Sequence, residues 1–304
     1  MQRTNVLFAE IFSSKCYTYN KSQPTYRRQR FLLDFVRQLS TDATATDLQK
    51  LVFLHTAGGC SSYYDFVPYK YGPYSFQLAE DIAVLRQNGF LIRKDSRIYA
   101  KDSQINENIA NIDIKRGDSL IRKVYRNYPY YAINSEIVER LFSSPEIEKI
   151  KNGKDGLKQT AQVLFTIGYE GKTVESFINQ LIKHDVRLLC DVRKNPISRK
   201  FGFSKTKIQH ILKTIGIQYV HIPELGIDSQ KRANLESISD YQELFQDYRI
   251  SLPQRKKDLE YVYFLLSSNI RIALMCYEKE PQMCHRHVIK DYIQLNYNIR
   301  GEDL

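Results

Sequence analysis

Residues 163–196 read VLFTIGYEGKTVESFINQLIKHDVRLLCDVRKNP. Two mainly apolar runs, 163–168 and 187–192, flank a segment in which Val174, Phe177, Ile178 and Leu181 recur at helical spacing. A strand without polar alternation is buried on both faces, and two such strands joined through a helix run parallel. The alternation continues downstream. Helical patterns occupy 204–216, 240–250, 254–268 and 284–296, and apolar runs occupy 217–222 and 270–277. The expected fold class is therefore α/β, a mostly parallel sheet with helices on both faces, in a domain spanning 160–304.

In such a sheet ligands bind at the carboxyl ends of the strands. The first run ends in GYEG, where Tyr169, Glu170 and Gly171 lead into a helix whose N-terminus can face an anion. A plain strand-to-helix turn reads the same way. The second ends in DVRKNP. Asp191 can accept a proton or orient a nucleophile, Arg193 can fork onto phosphate, and Lys194 and Asn195 stand beside them. A buried Asp–Arg pair is the alternative. Arg199, Lys200, Lys205 and Lys207 follow with Phe201 and Phe203 between them, a mixture suited to a nucleic-acid backbone and its bases, or to a solvated helix start. The third run ends in HIPELG with His221 and Glu224. The fourth ends in CYEKEPQMCHR, which carries Cys276, Glu278, Cys284, His285 and Arg286. Its cysteines have three open readings: a thiolate activated at a helix start, a metal ligand set, or packed small hydrophobes. The seven-residue gap between them matches no standard zinc spacing, so neither metal nor cofactor is expected.

Together TIGYEG, DVRKNPISRKFGFSK, GIQYVHIPELG and LMCYEKEPQMCHRHVI resemble the Domain of Unknown Function 488 family across residues 162–295. The resemblance implies an α/β domain whose signature site holds Asp191, Arg193 and the stretch from Cys276 to Arg286. It also implies a nucleic-acid-related, mobile-element or defence setting.

The first half has a different rhythm. Helical patterns at 25–39, 44–56 and 76–88 precede a hairpin at 90–100 that turns at Lys94-Asp95-Ser96. Thr46 and Ser75 are expected to cap the second and third helices. Three helices and a two-stranded wing predict a mainly helical, winged-helix-like domain over 1–150. The stretch around KYGP at 70–73 resembles bacterial antitoxin-like and phage-associated domains with such a loop. Further helix is expected at 116–128 and 135–142. The polar stretch 143–160, with two glycines, is read as the boundary.

A net charge of +11, shared by both halves, favours a polyanionic partner. The five cysteines, Cys16, Cys60, Cys190, Cys276 and Cys284, outline no disulfide framework. No run approaches the ~20 apolar residues of a membrane span, and the start of the chain lacks a signal-peptide pattern. The expected setting is cytoplasmic, with nucleic acid as partner, DNA before RNA, and no membrane. The expected function is hydrolysis within a nucleotide unit, base excision being one such reaction. Asp191, Glu278, Cys276, Cys284 and His285 are the expected catalytic set. Tyr169, Glu170, Gly171, Arg193, Lys194, Asn195, His221 and Arg286 would bind substrate. Arg27, Arg28, Arg30, Arg93, Lys94, Arg97 and Lys205 would meet nucleic acid. The alternatives are a non-enzymatic nucleic-acid-binding sensor with a nucleotide-like pocket, and a thiol enzyme at Cys276 and Cys284.

Overall fold

The structure is a computed structural model; it describes residues 23–60, 63–110, 112–232 and 235–304. Cys16 and the apolar run near Glu10 lie outside the described residues. The first half runs α1 (Arg27–Arg37), β1 (Ala43–Thr44), α2 (Ala45–Ala57), a hairpin of β2 (Val67–Tyr69) and β3 (Gly72–Tyr74), then α3 (Phe76–Gln87). A second hairpin follows, β4 (Leu91–Lys94) and β5 (Arg97–Ala100), and β1 adds to it in the order β1-β5-β4. The chain continues through α4 (Gly117–Asn127), α5 (Val138–Leu141) and α6 (Ser144–Asp155). Asp95 and Ser96 both take positive φ, the backbone that a two-residue hairpin turn requires.

Two local expectations change. The cap of α2 is Thr44 rather than Thr46, because Asp47 stands three residues beyond Thr44 and closes a reciprocal capping box. The polar stretch 143–160 is mostly helix. Ser143 and Glu146 form a capping box at the start of α6, and the helix continues to Asp155 with Ile150 as its buried residue.

The second half contains β6 (Val163–Gly168), α7 (Val174–Lys183), β7 (Leu188–Asp191), α8 (Lys205–Thr214), β8 (Gln218–His221), α9 (Ile238–Ser251), α10 (Lys256–Asn269), β9 (Arg271–Cys276), α11 (Arg286–Tyr297) and β10 (Arg300–Asp303). The sheet order is β10-β6-β9-β7-β8, and every pair is parallel. Side chains alternate across it. Phe165, Ile167, Leu189 and Met275 pack with α7 and α8, while Leu164, Leu188, Ile272 and Leu274 pack with α9, α10 and α11. The neighbours β6 and β9 send their crossovers in opposite directions, toward β7 through α7 and toward β10 through α11. A crevice forms where such loops part. Strand β10 is a short polar edge, RGED, tied to β6 by Thr166 Oγ1 donating to Asp303 Oδ1 at 2.6 Å. No helix among the described residues is long and apolar enough to cross a membrane.

The two halves meet at the starts of α3 and α7. Glu175 is buried, and its Oε1 accepts from Gln77 N at 2.9 Å and Ser75 Oγ at 3.1 Å. Val67 joins the core of the second half. Burial raises the Glu175 carboxyl above its ordinary value, against the pull of these hydrogen bonds. Glu175→Ala should cost about 1–3 kcal/mol in chemical denaturation, since it strands a buried N–H. A raised folded-state pKa disfavours folding above that pKa, and the penalty disappears below the unfolded value of about 4.3. Glu175→Gln should therefore match or exceed the wild type in stability at neutral pH, and lose that advantage in acid.

Candidate functional site at the carboxyl edge of the sheet

The strand register sets the four motifs side by side. Gly168 pairs with Cys276, and Asp191 pairs with Met275 on one side and His221 on the other. A pocket of about 360 Å³ opens over this edge. Arg193, Lys194, Arg199 and Arg232 give it positive charge, and Tyr169 and Tyr277 give it aromatic wall. Asn195, Cys276 and His285 also line it.

Asp191 is 0% exposed. Its Oδ1 accepts from Arg193 Nε at 2.8 Å and from Arg193 N at 3.1 Å. Its Oδ2 accepts from Arg193 Nη2 at 2.6 Å and from Tyr219 Oη at 2.7 Å. Four bonds fill the lone-pair sites of a carboxylate. The expectation that Asp191 activates water is corrected on that ground: it orients Arg193. Burial opposes the Arg193 charge, but Asp191 outweighs burial and raises the guanidinium above its ordinary value. Arg193 Nη1 donates to Tyr169 Oη and to Phe203 O, both at 3.0 Å. Its own carbonyl accepts from His221 Nε2 at 2.9 Å, which leaves His221 Nδ1 to accept from Lys205 Nζ at 3.1 Å. His221 and Lys205 thus support the Arg193 loop.

The expectation that Arg286 holds phosphate is also corrected. It is fully buried, and its donors go to Thr166 Oγ1, Glu278 O and Lys279 O, at 3.2, 2.6 and 3.0 Å. It shapes the loop after β9. Gly168 serves the same close approach, because a Cβ there would lie 1.7 Å from Glu278 O. The glycine of GYEG that matters for contact therefore admits the chain's own backbone. Glu170 Oε2 accepts from Lys279 N at 2.9 Å, and Glu170 N donates to Tyr277 O at 2.8 Å. Gly171 takes φ +74°, and a Cβ there would meet no atom within 4 Å, so this glycine provides only the turn. Tyr169 is mostly covered: its ring stacks on Phe203, with centroids 4.3 Å apart and planes 12° apart. Tyr277, which sequence reasoning does not single out, is the exposed ring beside it.

Glu278 Oε1 accepts from Arg232 Nη2 at 2.5 Å. Burial disfavours the Glu278 charge, yet Arg232 and the neighbouring Cys284 and Cys276 thiols hold its carboxyl below the ordinary value. Arg232 comes from a 3-10 turn (Ser229–Arg232) outside every motif, and no sequence signal marks it. Cys276, Cys284 and His285 are buried together, with one ligand-type atom from each lying within 4.8 Å of the others. Burial raises the Cys284 thiol well above its ordinary value, with Cys276 adding and His285 opposing. A thiolate poised at the helix start is not what this environment supports.

The basic residues of the first half divide in two. Arg28 bonds Asp81 at 2.6 Å, Arg30 caps Pro24 O and Thr25 O, and Arg27 lies over the Tyr63 ring. Arg93, Lys94 and Arg97 stand exposed on the β4–β5 hairpin.

The model of the family described as Domain of unknown function DUF488 matches residues 173–293, in the C-terminal half of the chain. The match covers the DVRKNP, HIPELG and CYEKEPQMCHR ends and begins after GYEG. No curated protein and no solved structure matches the chain.

The glycine geometry yields a paired test. Gly168→Ala should destabilise the protein by about 3 kcal/mol or more in urea unfolding, because the obstruction is backbone. Gly171→Ala should cost only about 1–2 kcal/mol, the penalty of its positive φ.

Proposed function

We propose that the C-terminal domain is a nucleic-acid-directed enzyme that hydrolyses a bond within a nucleotide unit held at the strand-end pocket. The observation that carries this reading is the pocket's lining: four cationic side chains around an exposed aromatic ring at the sheet's switch point. Guanidinium and ammonium groups suit phosphate, and Tyr277 offers a face to a base. Lys194 and Arg199 are exposed and free of the Asp191 network, so they are the groups assigned to phosphate. Glu278 is the acid–base candidate in place of Asp191. Base excision fits this assignment, because it needs a carboxylate near a positioned water and a pocket for an extruded base.

The first half supports the same reading. Its order of helix, short strand, helix, hairpin, helix and second hairpin, with β1 pairing with the second hairpin, supports a winged-helix reading with a hairpin inserted between the second and third helices. The exposed Arg93, Lys94 and Arg97 sit where a wing meets a phosphate backbone. DNA is the assigned partner, in a mobile-element or defence setting, and residues 1–150 and 160–304 are assigned as the two domains. A non-enzymatic sensor is the second reading, favoured by one observation: Asp191 presents no free oxygen to the pocket.

Incubating the full chain with defined DNA and RNA oligonucleotides, followed by mass spectrometry, separates the two. The enzyme reading expects a product of altered mass. It also expects Lys194→Ala with Arg199→Ala to lower turnover at least about tenfold, with the unfolding temperature unchanged. Binding without any product would favour the sensor.

A further inference from the structure

The Cys276, Cys284 and His285 cluster has a geometry that ordinary packing does not require. His285 Nε2 lies 3.0 Å from Val192 O. A carbonyl only accepts, so Nε2 carries the proton and Nδ1 presents a lone pair. That lone pair faces Cys276 Sγ at 3.8 Å and Cys284 Sγ at 3.9 Å. An imidazole fixed by a backbone carbonyl through one nitrogen and open at the other is the arrangement found around metal-bound histidines.

We propose that Cys276 Sγ, Cys284 Sγ and His285 Nδ1 bind one divalent, thiophilic cation, Zn²⁺ by the chemistry of the donor set. A tetrahedral Zn²⁺ about 2.3 Å from sulfur and about 2.0–2.1 Å from nitrogen holds each S···N pair about 3.6 Å apart. The observed separations need to close by only a few tenths of an ångström. Binding releases the two S–H protons and leaves two thiolates against the dication. Glu278 and Arg232 already balance each other alongside, so the loaded site is neutral.

A second observation points the same way. Glu278 Oε2 is buried and accepts from no nitrogen or oxygen donor among the described residues; only the Cys276 and Cys284 thiols stand beside the carboxylate. Thiols are weak donors, and their protons leave when a metal binds, so this buried oxygen then calls for another donor. A water on the cation supplies it, because three protein ligands leave a fourth tetrahedral position. Cys276 and His285 line the strand-end pocket, so that position opens toward it. Three ligands with an open place characterise catalytic rather than structural zinc sites.

The irregular spacing has a structural cause. Cys276 ends β9, and a short 3-10 turn (Pro281–Met283) carries the chain back to set Cys284 and His285 at the start of α11. The ligands meet through this return of the loop rather than through a knuckle of fixed length.

The metal site does not depend on the nucleotide reading, and its test uses no nucleic acid. The full chain, purified untagged under reducing conditions, is loaded with Zn²⁺ or Co²⁺, dialysed and analysed for metal. The expected result is about one ion per chain, with thiolate-to-cobalt charge-transfer absorption and an unfolding temperature lowered by chelator. Cys276→Ser, Cys284→Ser and His285→Gln should each weaken binding by at least the about 10–100-fold that loss of an outer-shell partner costs. Cys60→Ser should bind as wild type. A reduced, folded wild-type chain that retains no Zn²⁺ and shows no cobalt charge-transfer band would overturn the proposal. Retention undiminished in the Cys276→Ser, Cys284→Ser double variant would overturn it equally.

Discussion

The buried pair of Asp191 and Arg193 organises the carboxyl edge of the sheet. Asp191 ends β7, and its partners reach Tyr219 on β8 directly, and Tyr169 after β6 and Phe203 before α8 through Arg193. Two charges removed from water gain little net stability unless every remaining lone pair and proton is satisfied. Here both carboxylate oxygens and four of the five guanidinium protons have partners, which besides the pair itself are a tyrosine hydroxyl, a backbone amide, a second tyrosine and a carbonyl. The pair therefore fixes geometry more than it adds stability, holding three strand ends and the intervening loop in one arrangement. Arg286 does the same for the fourth strand end, binding two carbonyls of the loop after β9 while Gly168 lets that loop pass.

This division of labour separates the motif residues into a frame and a lining. Asp191, Arg286 and His221 belong to the frame, and Arg193 is anchored in it while still touching the pocket. Lys194, Arg199, Arg232 and Tyr277 meet the pocket without supporting the sheet. Glu278 stands between, with one oxygen on Arg232 and the Cys276 and Cys284 thiols beside its carboxylate. In the proposed reading, chemistry at this edge falls to Glu278 and the Cys276, Cys284 and His285 cluster, and recognition to the exposed cations and ring.

The parts of the fold that could be read from sequence share a physical cause. Strands β6, β7 and β9 are buried on both faces, so they appear as mainly apolar runs without polar alternation, and parallel topology then forces their ends onto one edge. Strand β10 escapes because an edge strand need not be apolar, and RGED carries no strand signal. Helix α6 escapes because its polarity and glycines read as linker, although Ser143 and Glu146 carry the capping box. Within the site, convergence is legible and exposure is not. Whether Asp191 faces water depends on Tyr219, and whether Arg286 is free depends on Thr166, 120 positions away. Arg232 has no motif at all, and the cysteine–histidine cluster is hidden by a spacing that only the loop's return explains.

The central claim is that the strand-end pocket is the place where a nucleotide unit is held. Photochemical crosslinking of the full chain to a short oligonucleotide, with the modified peptides sequenced, tests it most directly. Crosslinks are expected at Tyr277 and in the segment from Lys194 to Arg199, competed away by a free nucleoside monophosphate. Crosslinks confined to the first half, or a pattern at Tyr277 that excess nucleotide leaves unchanged, would contradict it.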